Sequence, residues 1–306
     1  MKLSILVCAY NEEKSIGPLL ENLQHQKIQP EMSTREIIVV ASGCTDGTVD
    51  VVKHHINENA DLKLIQEEIR LGKASALNRA LEASSGDYIV LIPADVEPAE
   101  NALFNLLTPF RNKSVVAVSG NPSQNPLKSS NSFACCLSRL TYRLWGKLLR
   151  KLNDIGQMGH CSGEFMAIRG DVKLHIPNLC VADDSYIAVM AKKKGLIVFA
   201  PKAISYNLLP STVTDYVNQR RRWLCGHFQT KKLTGEYPTV LDTMILSRPR
   251  VALQVLAEDV AEWPKEVGYL VSAMIVEVVI YSLSIIDRVL SHQWNVWPVV
   301  RSTKYV

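Results

Sequence analysis

The chain has 306 residues, enough for one large domain or two small ones and for a sizeable core without disulfides. Hydrophobic residues make up 47% and charged residues 21%, which excludes a disordered chain, a collagen and a transporter with many membrane spans. The net charge of +4 is too small to indicate binding to nucleic acid, and we expect none.

Strand and helix signals alternate over the first 120 residues. Apolar and β-branched runs predict strands at Leu3–Cys8, Glu36–Val40, Leu62–Ile65, Tyr88–Ile92 and Val115–Val118. Helices are predicted at Lys14–Gln26, from Thr45 to His55, and at Ala74–Ala83. This order predicts an α/β fold with a mostly parallel sheet covered on both faces. Ligands of such sheets bind beyond the carboxyl ends of the strands.

The pattern of alternating strand and helix signals ends after residue 120. Asn121–Asn131 is polar and contains prolines, which predicts a loop, and Phe133–Leu152 has the pattern of an amphipathic helix. One face of that helix carries the basic residues Arg139, Arg143, Lys147 and Arg150. Two interpretations stay open: the helix lies on an anionic membrane surface, or it is docked on the protein with a solvated basic face. A further helix is predicted at Tyr186–Lys194.

The stretch Val267–Ile286 contains 20 residues and one charge, Glu277, and is long enough to cross a bilayer. Aromatic and basic residues that are typical of interface anchors flank it: Trp263, Lys265, Arg288, Trp294 and Trp297. Against spanning, a central acid costs roughly 2.5–3.5 kcal/mol on insertion scales. We expect membrane association, peripheral or through a single C-terminal span; the alternative is a buried helix that ends a soluble domain. Seven cysteines without regular spacing predict a reduced protein at the cytoplasmic face.

Polar motifs that follow the predicted strands suggest contacts to a nucleotide. Tyr10 and Glu12 come after the first strand, and Asp46 lies in a glycine-rich turn after the second, where they could bind a base or ribose. Gly72 and Lys73 open a helix and could hold a phosphate. Taken singly, each motif has a plain structural alternative as a helix cap or turn.

Acidic residues after the fourth strand suggest a metal site. Asp95 and Glu97 could hold Mg²⁺ or Mn²⁺ on a nucleotide diphosphate, because one carboxylate plus phosphate oxygens is a normal arrangement for Mg²⁺. The alternative is a proline-rich turn with exposed acids.

Two motifs in the second half could carry the reaction. Asp183 and Asp184 precede a helix, where they could favour the helix dipole or supply a general base. In the run 219–223, Gln219, Arg222 and Trp223 could offer a cation and a stacking ring to a sugar diphosphate. The alternative for this arginine-rich run is a solvated helix face.

Together, the order and spacing of these motifs resemble the inverting, nucleotide-sugar-dependent glycosyltransferases of family 2, which have the GT-A fold. The resemblance covers roughly residues 3–230 and is greatest to the cellulose, chitin and hyaluronan synthase branch. Gln219, Arg222 and Trp223 match its Gln-x-x-Arg-Trp signature, and Asp95 matches the last acid of its metal-binding Asp-x-Asp.

The resemblance implies a role for each matched residue. Asp184 is implied as the catalytic base, and Cys161, Gly163 and Asp183 as the acceptor region. Asp95 is implied as the metal site, and we expect Glu97 to assist it in this sequence. The implied nucleotide-sugar site consists of Tyr10, Glu12, Asp46, Lys73, Asp95, Gln219, Arg222 and Trp223.

The chain departs from the family pattern at two places. Ala41 and Ser42 replace the paired acids of the second motif, so base recognition is expected to rest on Asp46 and backbone groups. Pro93 replaces the first acid of Asp-x-Asp, which leaves the metal to Asp95 and Glu97.

The resulting hypothesis is a catalytic domain at 1–235 and a helical, membrane-associated region at 236–306. A nucleotide-sugar half at about 1–120 and an acceptor half at about 121–235 make up the catalytic domain. The expected reaction is metal-dependent transfer of a hexosyl group, with inversion, from a nucleotide-diphosphate donor (a UDP-sugar) to a glycan or lipid-linked hydroxyl. The alternatives are a nucleotidyltransferase and a membrane-associated sugar-nucleotide binder that has lost catalysis.

Overall fold

The structure is a computed structural model of the chain, and it describes residues 1–32, 34–126, 130–290 and 300–303. Its strands are β1 Lys2–Ala9, β2 Thr34–Ser42, β3 Leu62–Glu67, β4 Tyr88–Pro93, β5 Glu97–Pro98, β6 Val115–Gln124, β7 Met166–Arg169 and β8 Leu196–Asn207. They form one sheet in the order β3-β2-β1-β4-β7-β6-β8-β5.

The first four strands are parallel and contiguous, as the alternating pattern predicts. β1 lies between β2 and β4, and β3 pairs with β2. Ile5, Leu6 and Val7 of β1 are buried although successive side chains point to opposite faces, because both faces of the sheet are covered. The carboxyl ends of these strands therefore meet at one edge of the sheet.

The second half of the sheet is mixed rather than parallel. β7 pairs antiparallel with both β4 and β6, and the two-residue β5 pairs antiparallel with β8. The sequence analysis did not predict β7 or β8. β6 also continues to Gln124, four residues into the stretch predicted as a loop, because its residues 121–124 pair with β8. Residues 127–129 of that predicted loop lie outside the described residues.

Helices cover both faces of the sheet and continue beyond it. They are α1 Ile16–His25, α2 Thr48–Glu58, α3 Lys73–Ala83, α4 Ala102–Leu107, α5 Phe133–Asp154, α6 Asp183–Lys192, α7 Val213–Thr234, α8 Leu241–Ser247, α9 Pro249–Glu262 and α10 Val267–Val289. The two main apolar cores lie on opposite faces of the sheet, and α5 contributes Leu140, Leu144 and Leu148 to one of them.

The basic face of α5 is covered by protein, so the membrane-surface interpretation of this helix is wrong. Arg143 donates to both carboxylate oxygens of Asp259 at 2.7 and 2.9 Å and to Glu266 at 2.7 Å. Lys147 lies 3.0 Å from Asp259 and 2.8 Å from Glu262. The acids of α9 and of the turn after it neutralise the cations that sequence analysis left to lipid or solvent. Arg150 alone of the four predicted basic residues is exposed.

The arginine run on α7 is also paired rather than solvated. Arg220 donates to Glu277 at 2.7 Å and to Asp242 at 3.0 Å, and Arg221 donates to Asp287 at 2.6 and 3.1 Å. Glu277 and Asp287 belong to α10, so both acids of this apolar helix face α7. The central acid that opposes membrane insertion is therefore turned toward the protein.

Most of α10 is not covered by the rest of the chain. The segment Pro264–Val289 is long and apolar enough to cross a membrane, with a mean hydropathy of 2.1, and 17% of its most apolar window is buried. This contradicts the alternative of a buried core helix. Of the predicted flanking anchors, Trp263 lies beneath the Arg143 guanidinium, 4.7 Å from it, whereas Trp294 and Trp297 lie outside the described residues.

Candidate active site

A cavity of about 720 Å³ opens at the carboxyl edge of the parallel strands. The ends of β1 and β4, the first turns of α3 and α6, and the inner faces of α5 and α7 line it. Ten of the site residues predicted from sequence meet there: Tyr10, Glu12, Lys73, Asp95, Gly163, Asp183, Asp184, Gln219, Arg222 and Trp223. The sheet edge and the arginine-rich helix thus bring together residues more than 200 positions apart.

Three predicted site residues do not line this cavity. The Asp46 carboxylate accepts from the Thr48 amide at 3.0 Å and from the Glu13 amide at 3.2 Å, so it holds the start of α2. Glu97 lies in β5 and accepts from Asn125 at 3.0 Å. Cys161 is fully buried in the apolar core. For Asp46, the structural alternative of a helix cap describes the observed contacts.

Asp183 and Asp184 occupy the first turn of α6, where the helix dipole favours negative charge. Lys73, the first residue of α3, lies 2.9 Å from Asp183. Burial acts to lower the pKa of Lys73, but Asp183 and Asp184 outweigh it, so this pKa lies above its ordinary range. Lys73 is thus a fixed cation that is held against Asp183.

Asp184 has the electrostatics of a base that works near neutral pH. Burial and the adjacent Asp183 carboxylate raise the pKa of Asp184 to about 6. One of its oxygens accepts from the Ser185 amide at 2.6 Å, and the other lies 4.0 Å from His160 Nε2. Burial lowers the pKa of His160 to about 3, so that imidazole is neutral at physiological pH.

The loop before the acids must approach Asp184 closely, and Gly163 makes this possible. A Cβ at position 163 would lie 2.9 Å from Asp184 Oδ2 and 3.2 Å from its Cγ, shorter than real contacts of this kind. Only glycine lets this loop pass the carboxylate without moving it. Gly163 is therefore predicted to set the position of Asp184 rather than to contact a ligand through a side chain.

Arg222 supplies positive charge to the same cavity. Burial lowers its pKa to about 10, despite the opposing influence of Glu164, Asp183 and Asp184, and it stays charged at neutral pH. Its neighbour Trp223 also lines the cavity, and the Arg220 guanidinium lies 5.4 Å from that ring. A cation and an indole on adjacent residues of α7 suit a sugar diphosphate.

The acids of the cavity fit a divalent cation that is shared with a ligand. Among the described residues, no cluster of three or more His, Cys, Asp or Glu is placed to hold a metal alone. Burial raises the pKa of Asp95, and nearby Glu164 adds to the rise, which is the setting in which a bound cation would offset repulsion. Asp95 therefore fits Mg²⁺ or Mn²⁺ whose other ligands are diphosphate oxygens.

Several residues that line the cavity were not among the predicted site residues. Arg70 stacks over the Tyr10 ring at 3.9 Å, and Glu164 accepts from Tyr142 at 3.2 Å and from Ser162 at 2.7 Å. The Ser42 hydroxyl is buried at the cavity without a hydrogen-bond partner among the described residues. The position of Glu164 directly after Gly163 was the available signal, whereas nothing local marks Arg70.

Comparison with known proteins agrees with this geometry. The family described as Glycosyl transferase family 2 matches residues 4–172, more than half of the chain. The chain belongs to glycosyl transferase family 2. This confirms the resemblance and identifies a glycosyltransferase rather than the nucleotidyltransferase considered from the sequence.

The chain is also similar to curated proteins named poly-β-1,6-N-acetyl-D-glucosamine synthase. The poly-β-1,6-N-acetyl-D-glucosamine synthase of Staphylococcus epidermidis (strain ATCC 35984) is 26% identical over 247 residues, covering 78% of this chain and 57% of that protein. The synthase of Staphylococcus aureus (strain COL) is 25% identical over 230 residues, covering 73% and 54%. The chain spans about half the length of these curated relatives.

Solved structures confirm the GT-A fold. The mannosyltransferase PcManGT from Pyrobaculum calidifontis, in complex with GDP-Man and Mn²⁺, has a TM-score of 0.65 and 22% identity, covering 95% of this chain and 87% of that one. Mannosyl-3-phosphoglycerate synthase from Rubrobacter xylanophilus has a TM-score of 0.53 and 15% identity, covering 78% and 77%. At these identities the likeness shows the fold alone.

Proposed function

We propose that this family 2 glycosyltransferase transfers a sugar, with inversion and with the help of a divalent cation, from a nucleotide-diphosphate donor to an acceptor hydroxyl. The observation that carries the proposal is the Asp184 carboxylate, which lines the cavity with a pKa of about 6 opposite a charged arginine and the metal-compatible Asp95. A carboxylate with this proton affinity is well suited to general base catalysis at neutral pH.

In the proposed step, Asp184 takes the proton of the acceptor hydroxyl. The oxygen's electron pair forms the new bond to the anomeric carbon from the face opposite the diphosphate. The bond from that carbon to the diphosphate oxygen breaks, and the nucleoside diphosphate leaves with the electron pair. Attack from the opposite face gives the inverted anomer.

Positive charge around the leaving group favours this step. Arg222 is the nearest candidate for a direct contact with the diphosphate, and Trp223 for stacking against the sugar. When bound, Mg²⁺ or Mn²⁺ held through Asp95 would offset the charge that develops on the diphosphate. Lys73, held against Asp183, acts mainly on the acids in the conformation described here.

The donor and acceptor classes are proposals supported by the relatives. A solved structural neighbour contains GDP-Man with Mn²⁺, and the curated relatives are named as synthases of an N-acetylglucosamine polymer. We propose a UDP-sugar as donor and a glycan or lipid-linked hydroxyl as acceptor. The exposed apolar α10 supports action at a membrane, and seven free thiols support its cytoplasmic face.

The test uses the full chain purified in mild detergent and the variant Asp184→Asn. Release of nucleoside diphosphate is measured from UDP-, GDP- and dTDP-sugars with Mg²⁺ or Mn²⁺, and nucleotide binding is measured by calorimetry. We expect Asp184→Asn to lower turnover roughly 10²–10⁴-fold and to leave nucleotide binding intact, since removing a general base has effects of this size.

Asp154→Asn is the matched control, because Asp154 is an exposed aspartate at the end of α5 outside the cavity. It should keep wild-type turnover. Retained turnover in Asp184→Asn would reject this residue as the base. Nucleotide-sugar binding by the wild type without turnover of any donor would favour the degenerate binder.

A further inference from the structure

The cavity that contains Asp184 does not end at the catalytic residues. It continues between α7, α8, α9 and α10, where its lining is mainly aliphatic and includes Ile245, Leu256, Leu270, Met274, Val278 and Ile285, with Tyr281 and Ser282 beside them. We call this part, defined by the first six of these residues, the apolar groove. A site for nucleotide and sugar alone has no need of such an extension, because both ligands are polar.

The apolar groove opens onto the uncovered surface of the protein. Ile245, Met274, Val278 and Ile285 are between 51% and 67% exposed, so they form a rim rather than a closed core. The aliphatic side chains beside this rim on α10, Val271, Ile275, Val279 and Ile286, are also at least half exposed. The mouth of the groove and the apolar surface of α10 are therefore continuous.

Helical spacing on α10 produces this arrangement. Glu277, Ile280, Ser284 and Asp287 lie on the stripe that faces α7. Met274, Val278 and Ile285 follow at steps of four and seven and line the groove. The same helix thus contacts the protein with one stripe, lines the groove with the next and leaves a third exposed.

Buried polar atoms that lack a hydrogen bond also line the cavity. His227 is 7% exposed, and its Nδ1 has no hydrogen-bond partner among the described residues, although it lies 3.7 Å from Asp242. His160 Nδ1 and one oxygen of Glu277 likewise lack a hydrogen bond within the described part of the chain. Buried polar atoms are normally satisfied, so these atoms point to a ligand with hydroxyl or similar groups at this depth.

We propose that the apolar groove binds the hydrocarbon chain of a membrane lipid whose polar end reaches Asp184, so that the acceptor enters laterally from the bilayer. This rests on the proposed function and names its acceptor class. The lipid's hydroxyl-bearing end lies against His160, His227 and Asp184, and its chain leaves along α10 toward the membrane.

A growing glycan would need a different lining. Sugar chains are held by aromatic faces and by many hydrogen-bonding side chains, whereas the α10 part of the lining is mainly aliphatic and offers one aromatic ring, Tyr281, beside Ser282 and Glu277. Each methylene buried in such a groove contributes about 0.8 kcal/mol, roughly fourfold in affinity, so a chain of several carbons would dominate binding there. A hydrocarbon occupant matches this surface.

The experiment reconstitutes the full chain in phosphatidylcholine nanodiscs with hexadecanol that carries a photoactivatable diazirine in its chain. After irradiation, adducts are mapped by peptide mass spectrometry. Leu256 and Leu253 provide a matched pair on α9, since Leu256 lines the groove and Leu253 is 64% exposed outside it. We expect adducts at Leu256 and Leu270, and a loss of about tenfold in those adducts with excess unlabelled hexadecanol.

Ala273→Trp narrows the cavity from a position on α10 that also packs against the apolar core, whereas Val271→Trp places the same ring on the exposed stripe. Ala273→Trp should remove the adducts at Leu256 and Leu270, and Val271→Trp should keep them. If Ala273→Trp does not fold, the positions of the adducts in the wild-type protein alone decide whether the groove binds the hydrocarbon chain. Adducts confined to exposed positions such as Leu253 and Ile275, or displacement by cellopentaose but not by hexadecanol, would overturn the proposal.

Failure of the lipid site and failure of the proposed function give different results. Groove adducts in a chain that releases no nucleoside diphosphate from any donor would keep the lipid site and reject the transfer reaction. Donor turnover without groove adducts would keep the reaction and reject a lipid acceptor bound in this groove.

Discussion

The candidate active-site cavity brings opposite charges close together, and among its acids Asp184 has a pKa raised to about 6. Asp183 and burial hold its proton more tightly, whereas Lys73 and Arg222 act in the opposite direction. The result is a carboxyl group that gains and loses its proton near physiological pH instead of at acidic pH. Two of its consequences can be measured separately.

The first is the pH dependence of transfer. Because a base acts only when deprotonated, kcat/KM should rise with pH through about 6 and fall roughly tenfold per unit below that value. The measurement is kcat/KM between pH 4.5 and 8 at saturating metal, with nucleotide binding followed in parallel. A flat profile across pH 5–7 with binding unchanged would contradict Asp184 as the titrating base.

The second consequence concerns stability. The folded-state pKa of Asp184 lies above its ordinary value of 3.8, so its ionisation opposes folding, and stability should rise as pH falls from about 6 toward 4. Asp184→Asn removes that charge and should raise the free energy of unfolding at pH 7 by on the order of 1–3 kcal/mol. Thermal unfolding at pH 7 and pH 4.5 checks this: the gain should shrink at the lower pH. A lower Tm for the variant at pH 7 would show that the charge is stabilising.

A substitution at Gly163 tests whether turnover depends on the position of the Asp184 carboxylate as well as on its charge. Gly163→Ala places a methyl group 2.9 Å from Asp184 Oδ2, so the carboxylate must move by several tenths of an ångström. We expect kcat to fall roughly 10- to 100-fold, since small displacements of a catalytic group have effects of this size. KM for the donor should stay nearly constant.

Gly268→Ala is the control for this change, because a Cβ at position 268 has no neighbour within 4 Å. That variant should keep wild-type kcat. Equal kcat in Gly163→Ala and in the wild type would mean that the loop moves to make room for the methyl group and that the carboxylate keeps its position.

The helices outside the sheet are connected by partly buried ion pairs, and one group of these pairs joins α5 to α9. Asp259 is 3% exposed, accepts from Arg143 and lies 3.0 Å from Lys147. Hydrogen bonds from both cations keep its pKa below its ordinary value even though burial acts to raise it. The stability from this carboxylate is present above its unfolded-state pKa and is lost as pH falls through its lower folded-state value.

Asp259→Asn should lower the free energy of unfolding by about 3–5 kcal/mol, because it leaves two partly buried cations without their shared anion. Glu262→Gln is a matched control on the same helix: Glu262 also pairs with Lys147 but is 61% exposed, so the loss should be about 1 kcal/mol or less. Denaturant unfolding of both variants gives the comparison. Equal losses would show that burial does not distinguish the two contacts.

These pairs also explain where sequence reasoning succeeded and where it stopped. The four parallel strands were predictable because apolar runs such as Leu3–Cys8 need cover on both faces, and polar motifs follow them directly. The partners of Arg143 lie 116 and 123 positions away, so no local pattern could say that α5 is neutralised by protein. β8 was missed although Leu196–Ala200 is apolar, because the run extends as a strand only through its pairing with β6.

The same distinction applies to the candidate active site. That Asp184, Arg222 and Trp223 meet at one cavity was predictable because they belong to short motifs with recognisable spacing. Glu164, Arg70 and Ser42 reach the cavity from other loops and strands, and their roles depend on which segments the sheet brings together. For Asp46 the helix-cap alternative accounts for the contacts, because its carboxylate accepts a hydrogen bond from the amide of Thr48, the first residue of α2.

At the scale of the whole molecule, the described residues include an apolar surface on α10 that is exposed to solvent. The exposed aliphatic residues of α10 form a contiguous strip, whereas its acids point inward to Arg220 and Arg221. Contiguous apolar surface of this kind marks an interaction site, and the length of the helix suits a bilayer. Membrane contact at α10 would also place the mouth of the apolar groove against lipid.

Ile275→Asp combined with Val279→Asp should therefore release the chain from membranes. Each charge lies on the exposed stripe, 63% and 51% exposed in the wild type, where it would enter hydrocarbon at a cost of roughly 2.5–3.5 kcal/mol at the centre of a span. Co-sedimentation with phosphatidylcholine vesicles measures the bound fraction. The double variant should move from the vesicle pellet to the supernatant and keep the thermal stability of its sheet, because neither side chain packs against the protein core.

The matched control places the same two charges on exposed aliphatic residues elsewhere. Ile69 and Leu196 are 70% and 51% exposed and lie at the loop after β3 and the start of β8. Ile69→Asp with Leu196→Asp should leave vesicle binding unchanged, because neither residue belongs to α10. If both double variants stay in the vesicle pellet, α10 is not the membrane contact of this protein. That result would also reject the proposed entry of a lipid from the bilayer into the apolar groove.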